Sequence, residues 1–254
     1  MRALLFFFVM GVCTTVAAAQ GFDWQTSPRK PYHIPKRYIG LEVGSGYTWH
    51  VGSLEYIEQE VGITCCDYQS GHGVPLSINV VGEQWIEPSV SIVVGLGISL
   101  YNASFTTPSQ SVPLSTGKLL QTEYALRGSV TYVALSGGVN TRLLGTHFTV
   151  GAGLRMQLYA GGTLSQVERV LAPSDFTFTE NPRSREKALG NSFLDNANRF
   201  QVEPYVQIGY DISVSNGFYL SPSVSLGVPL LSVTSSDQWR MLDLGARIRL
   251  MKGL

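Results

Sequence analysis

The chain of 254 residues carries little charge: Asp, Glu, Lys and Arg make up 14%, the 18 basic and 18 acidic residues cancel, and the isoelectric point is about 6.9. No basic surface for nucleic acid can be assembled from such a composition. Cysteine is nearly absent. Cys13 lies within the first 19 residues, and Cys65 and Cys66 are adjacent, so no disulfide framework can staple the fold. The adjacent pair is left free or closed in a strained ring, and it lacks the usual metal-ligand spacing. Histidine is scarce as well, with His33, His50, His72 and His147 in no triad or metal pattern. A lipid-modifying site at one rim, built from His50 or His72 with Glu55 and Ser53, has the residue types but not a signature spacing. The pairs Gly95-x-Gly97 and Gly151-x-Gly153 lack the third glycine and following helix of a dinucleotide fold and read as room where strands crowd. No cofactor is called for.

Long apolar runs are also few. The N-terminus MRALLFFFVMGVCTTVAAAQ has a basic start, an apolar stretch too short to span a bilayer, and small residues before Gln20, so residues 1–19 read as a signal peptide. Residues 20–37 read as an unstructured periplasmic lead-in, rich in Pro and basic residues. One uncharged run, 88–117, has the length of a membrane helix, but its Ser, Gly and Val alternate with period two, which is the signature of a strand.

That alternation is what the sequence has in abundance. Ile39, Leu41, Val43, Tyr47, Trp49 and Val51 face away from Glu42, Gly44, Thr48 and His50, and Phe148, Val150, Ala152, Leu154, Met156 and Leu158 face away from Thr149, Gly151, Arg155 and Gln157. Similar ladders run through 74–80, 90–100, 200–212, 218–230 and 242–250. A further one begins at Tyr124, Leu126, Val130 and Tyr132 and slips phase after Tyr132, as a bulge would make it do. Eight strands result. Their connections alternate between short (near 84–88, 144–147 and 215–217) and long (52–73, 106–121, 162–199 and 232–238). The fold class is all-β: an eight-stranded antiparallel up-and-down transmembrane barrel spanning 38–254, both termini on the short-turn side.

Period two alone does not say which face points in, because a soluble barrel has the same pattern with its apolar face inside. The polar face decides. Lys30, Lys36, Lys118, Lys187 and Lys252 all lie outside the ladders, and the polar face carries Gly, Ser, Gln and a few ions, which suits a narrow interior. The apolar face is nearly free of charge, as lipid requires where Arg or Lys at the midplane costs ~2–4 kcal/mol. Arg155 then points into the lumen and needs an acid, since an unpaired buried charge costs several kcal/mol. Counting residues from the turns pairs Arg155 with Glu203, and Arg247 with Glu42. Two aromatic girdles are expected: Trp49, Tyr101, Tyr124, Phe200 and Trp239 near the long loops, and Tyr38, Trp85, Phe148, Tyr210 and Phe218 near the short turns.

GLEVGSGY at the first strand, the Cys65-Cys66 pair followed by Gly71-His72-Gly73, then GLGIS, VGAGLR and a closing LGARIRL resemble the PorT-like outer-membrane barrel domain of Bacteroidota, similar in architecture to the transmembrane domain of OmpA. The resemblance implies a bacterial outer-membrane location and this architecture; it implies no catalytic residues. The expected contacts are outer-membrane lipids and an extracellular or periplasmic protein met through the loops, with no nucleic acid and no catalysis. A narrow channel for ions or small solutes is the second reading, although a barrel of eight strands fills its interior with side chains.

Overall fold

The computed structural model describes residues 36–54, 68–115, 117–143, 146–178, 184–215, 217–236 and 238–254. The signal peptide at 1–19, most of the 20–37 lead-in, Glu55 and the Cys65-Cys66 pair lie outside the described residues. Twelve strands and no helix are found among the rest: β1 Arg37–Val51, β2 Ser70–Gly73, β3 Leu76–Glu87, β4 Val90–Pro108, β5 Val112–Pro113, β6 Leu119–Arg142, β7 Phe148–Ala172, β8 Glu186–Phe193, β9 Phe200–Tyr210, β10 Ile212–Ser215, β11 Phe218–Gly227 and β12 Arg240–Gly253.

Eight of these close a ring, each antiparallel to its neighbours, in the order β1, β3, β4, β6, β7, β9, β11, β12 and back to β1. Following paired residues round the ring from Tyr47 through Leu244, Leu226, Val206, Ala152, Val139, Ile92 and Gln84 arrives at Arg37, ten residues below the start. Ten residues of ~3.3 Å against eight spacings of ~4.8 Å tilt the strands by about 40°. Each residue therefore climbs the barrel axis by about 2.5 Å.

β2 belongs to the same stave as β3. Ser45 pairs with Leu76 and Thr48 with Gly73 in one unbroken register, but the two residues between them on each strand are unpaired. Pro75 sits at that break. It has no N–H to give to the ladder, and the Ser45 hydroxyl donates to its carbonyl at 3.0 Å.

Polarity runs opposite to that of a water-soluble barrel. Glu42, Asn79, Gln157, Gln201, Glu203, Asp243, Arg247 and Arg249 are buried inside, while Leu41, Leu96, Leu154, Ile208 and Ile248 stand outside at 54–61% exposure. On β6 the structure corrects the sequence reading. Even-numbered residues face inward along its whole length, so Leu126, Val130 and Tyr132 are lumenal and Arg127 points out. The phase never slips on β6, and the extra residue at that level is Ala160 on β7. The apparent slip arose because the lumen itself changes from polar to apolar at Tyr132.

Half of the expected girdle is likewise inside. Tyr38, Trp85, Tyr101 and Trp239 are 1–7% exposed, and Tyr124 packs on the interior cluster that holds Tyr101 and Trp239. Trp49, Phe200, Phe148, Tyr210 and Phe218 face out. The segment 162–199 is also less of a loop than its charge suggested. β7 continues to Ala172, and β8 returns along it from Glu186 to Phe193. Above the ring, β4, β6, β7 and β8 thus form a projecting sheet.

Candidate functional site

The lumen is closed at both ends by packed side chains. At the short-turn end Tyr38, Val81, Trp85, Val93, Tyr219 and Met251 form a buried cluster. Tyr38 and Tyr219 meet edge to face at 5.1 Å, and the Arg142 guanidinium lies 4.0 Å over the Trp85 ring while pairing with Asp211 at 3.1 Å. Glu83 accepts from Ser91 at 2.6 Å and from the Tyr219 hydroxyl. At the other end Leu54, Tyr68, Phe105, Leu126, Tyr132, Leu164, Leu194 and Trp239 make a second core. Strands long enough to climb past the apolar band give that core its walls, which is why the inner face there can be apolar.

Between floor and roof stands a ladder of ions. Arg155 and Glu203 are opposite one another in register and 2.6 Å apart, Nη1 to Oε1. Gln157 donates to the second oxygen of Glu203 at 3.0 Å, and Asp243 stands 3.7 Å from Arg155. Lower down, Glu42 is held by Arg249, whose Nη2 and Nε reach one oxygen at 2.7 and 3.2 Å, and by Asn79 at 3.1 Å. Arg247, the partner expected from counting, lies 3.8 Å from Glu42 and is the outer member of that group. The register explains the offset: Glu42 pairs with Arg249, whereas Gly44 pairs with Arg247. Tyr205 lies under both Arg155 and Arg247, at 5.5 and 5.6 Å. The sequence reading had Arg249, Asp243 and Gln157 on the polar face but gave them no part in its ion pairs.

Gly227 shows how tightly this layer is built, because a Cβ there would sit 2.0 Å from Glu203 Oε1. A cleft lined by Ser77, Ser99, Tyr101, Arg155, Asp243 and Arg247 has room for about one water molecule. Among the described residues the interior is filled by side chains at the floor, in the ion ladder and at the roof.

The rim histidines do not form one site. His50 is 1% exposed and fully engaged: Trp239 Nε1 donates to its Nδ1 at 3.0 Å, which leaves the proton on Nε2, 3.0 Å from Thr48 Oγ1. His72 is exposed on the outer face, stacked on Tyr47 with ring centroids 6.1 Å apart. The wall of the barrel separates them. No cluster of three or more His, Cys, Asp or Glu that could hold a metal occurs among the described residues.

The outer face of the projecting sheet carries surface ion pairs. Arg169 reaches Glu186 at 2.7 Å and Glu123 at 3.2 Å, Arg127 reaches Glu186 at 3.4 Å, and Lys118 reaches Asp175 at 2.8 Å. The hydrogen bond from Arg169 holds the Glu186 carboxyl below the usual carboxylate range, and that from Lys118 does the same for Asp175. Being exposed to solvent, these pairs are screened and contribute little to stability.

No family model matches the chain, and no curated protein matches it. Among solved structures it is similar to Neisserial surface protein A (10% identity, 85% of this chain and 96% of that one, TM-score 0.37). It is also similar to the outer membrane protein AlkL in lipid bilayers (12% identity, 90% and 93%, TM-score 0.36) and to the attachment invasion locus protein Ail of Yersinia pestis (11% identity, 84% and 99%, TM-score 0.27). The ring of eight strands rests on the register described above and not on these likenesses.

Proposed function

We propose that the chain is an integral β-barrel of the bacterial outer membrane that works through its projecting sheet and long-loop end as a structural or interaction protein. The observation that carries this is the height of the apolar band. Outward-facing apolar residues run from Ile39 to Val51 on β1 and from Phe148 to Leu158 on β7. Twelve and ten residues at about 2.5 Å each give about 30 and about 25 Å, close to the height of the lipid-facing band in outer-membrane barrels. Above it the outward face turns to Arg127, Glu123, Arg169 and Glu186, as a segment returned to water must. The finer affinity to PorT-like barrels is supported by the strand motifs GLEVGSGY and LGARIRL, and the partner is a protein met outside the membrane or on the periplasmic side.

Membrane fractionation with gel migration tests the reading. The protein is expected in the outer-membrane fraction, resistant to alkaline extraction, and to migrate faster unboiled than boiled. Release into the soluble fraction as a monomer without detergent overturns it. In planar bilayers the purified protein is expected to be silent, because floor, ladder and roof fill the lumen; steady ion conductance would instead assign it to the narrow channels.

A further inference from the structure

We infer that the lumen contains a binding site for a single hydroxyl group, between Arg155 and Asp243, reached through the wall at Pro75. Three observations meet there. The first is crowding on one side of the Arg155 guanidinium: Nη1 alone serves Glu203 at 2.6 Å, the Tyr101 hydroxyl at 3.4 Å and Asp243 Oδ2 at 3.7 Å. Nη2, equally buried, has no partner among the described residues, and neither has Asp243 Oδ1. Arg155 is 5% and Asp243 4% exposed, so both atoms bear the full cost of lost water.

The second is that both side chains line the cleft that has room for about one water molecule, together with Ser77, Ser99, Tyr101 and Arg247. One orphan atom is a donor and the other an acceptor. Charge balances over the ladder as a whole, three arginines (Arg155, Arg247 and Arg249) against three acids (Glu203, Asp243 and Glu42). The matching ligand is therefore neutral and both accepts and donates one hydrogen bond, which describes an O–H group.

The third is the route. The same cleft is lined by Ser45, Pro75 and Leu76, the residues at the interruption between β1 and the β2–β3 stave. Ser45 and Leu76 are exposed on the outer surface, in the upper half of the apolar band. The hydroxyl can thus belong to water or to the head of an amphiphile whose tail stays in the apolar layer. This site lies apart from the projecting sheet and needs no protein partner.

The test uses the full-length chain refolded in lipid nanodiscs with 15N-labelled arginine, the Arg155 side-chain signals being assigned through Arg155→Lys. Long-lived magnetisation transfer from water to the Arg155 Nη protons is expected. Titration with 1-octanol, but not with n-octane, is expected to shift those protons saturably if an amphiphile's hydroxyl enters; transfer from water with no octanol effect restricts the site to water, and both results support it. Asp243→Leu is expected to abolish the contact, whereas Asp243→Asn, which keeps an oxygen acceptor, retains it. If Asp243→Leu does not refold, Pro75→Val restores a ladder N–H at the break and is expected to remove the octanol effect while leaving the water contact. The inference is overturned by resolved Arg155 signals with neither a long-lived water contact nor a saturable octanol shift, or by contacts unchanged in Asp243→Leu.

Discussion

Replacing Arg155 by Met should destabilise the barrel far more than its position on one strand of eight suggests. The Glu203 side chain is fully buried, and its Oε1 is 2.6 Å from Arg155 Nη1. After Arg155→Met its remaining donors are neutral, Gln157 at 3.0 Å and Tyr101 at 3.5 Å. Breaking a buried ion pair by removing one partner costs about 3–5 kcal/mol, because the other charge stays behind without compensation. Replacing both partners by apolar groups of similar volume removes that charge, so Arg155→Met combined with Glu203→Met should lose clearly less than the two single changes added together. Asp243 at 3.7 Å limits how far the double variant recovers, since it loses its ion pair with Arg155. The assay is urea unfolding of refolded protein in lipid vesicles, followed by tryptophan fluorescence and by the fraction running as the compact band. An Arg155→Met variant within about 1 kcal/mol of the parent would show that the ion ladder does not position the staves. So would a double variant whose loss equals the sum of the singles.

Leu96→Arg, on the outer face near mid-band at 59% exposure, should cost about 2–4 kcal/mol in the same vesicles, and Thr106→Arg, exposed above the band, less than about 1 kcal/mol. Equal costs at the two heights would contradict the membrane reading. Gly227→Ala should destabilise by about 1–3 kcal/mol through the 2.0 Å clash with Glu203, and Glu203→Ser, which withdraws the carboxylate, should suppress most of that loss. Trp239→Phe, which removes the donor to the buried His50 Nδ1, should cost about 1–3 kcal/mol with the barrel still folding. For the projecting sheet the sign follows from Glu186, whose carboxyl Arg169 holds below its usual range. Its contribution is present above the ordinary carboxylate pKa and is lost as pH falls through the lowered value. Amide exchange of β8, corrected for intrinsic rates, should therefore show weaker protection below about pH 4 than at neutral pH, and Glu186→Gln should flatten that dependence.

Much of this was legible because a strand has only two faces. Parity along β7 puts Arg155 with Thr149, Gly151 and Gln157, and counting from the turns puts Glu203 opposite, which is where the register has it. The same parity would have placed the misassigned aromatics. Trp239 shares the phase of Asp243 and Arg247, Tyr101 that of Ser99, Trp85 that of Glu83, and Tyr38 that of Glu42. Choosing rim residues by their nearness to strand ends ignored phase, and aromatic side chains suit a plugged end as well as a girdle. Counting also paired Arg247 with Glu42, and the two do form an ion pair at 3.8 Å, but it missed the closer partner Arg249 at 2.7 Å, for another reason. In a tilted ring residues at equal height are not residues in register, since each step round the barrel displaces the chain by about 1.25 residues, and two residues separate Arg247 from Arg249.

The upper end of β7 escaped the sequence reading, which placed 162–199 in a long connection. Outside the hydrocarbon alternation persists, with Leu126, Val130 and Leu164 inside and Arg127 and Arg169 outside, but the outer face is now the charged one. The polarity of the wall thus inverts where the strands leave the band, and below that level the ions are inside and the aliphatics outside. Such a wall can project from the membrane only if its interior is packed, because an apolar inner face open to water would lose the burial that holds the sheet together. The roof core around Trp239, Phe105 and Tyr132 therefore both supports the exposed sheet and stops the lumen, so a variant that opened the barrel to solutes at this end would also unseat the projecting sheet.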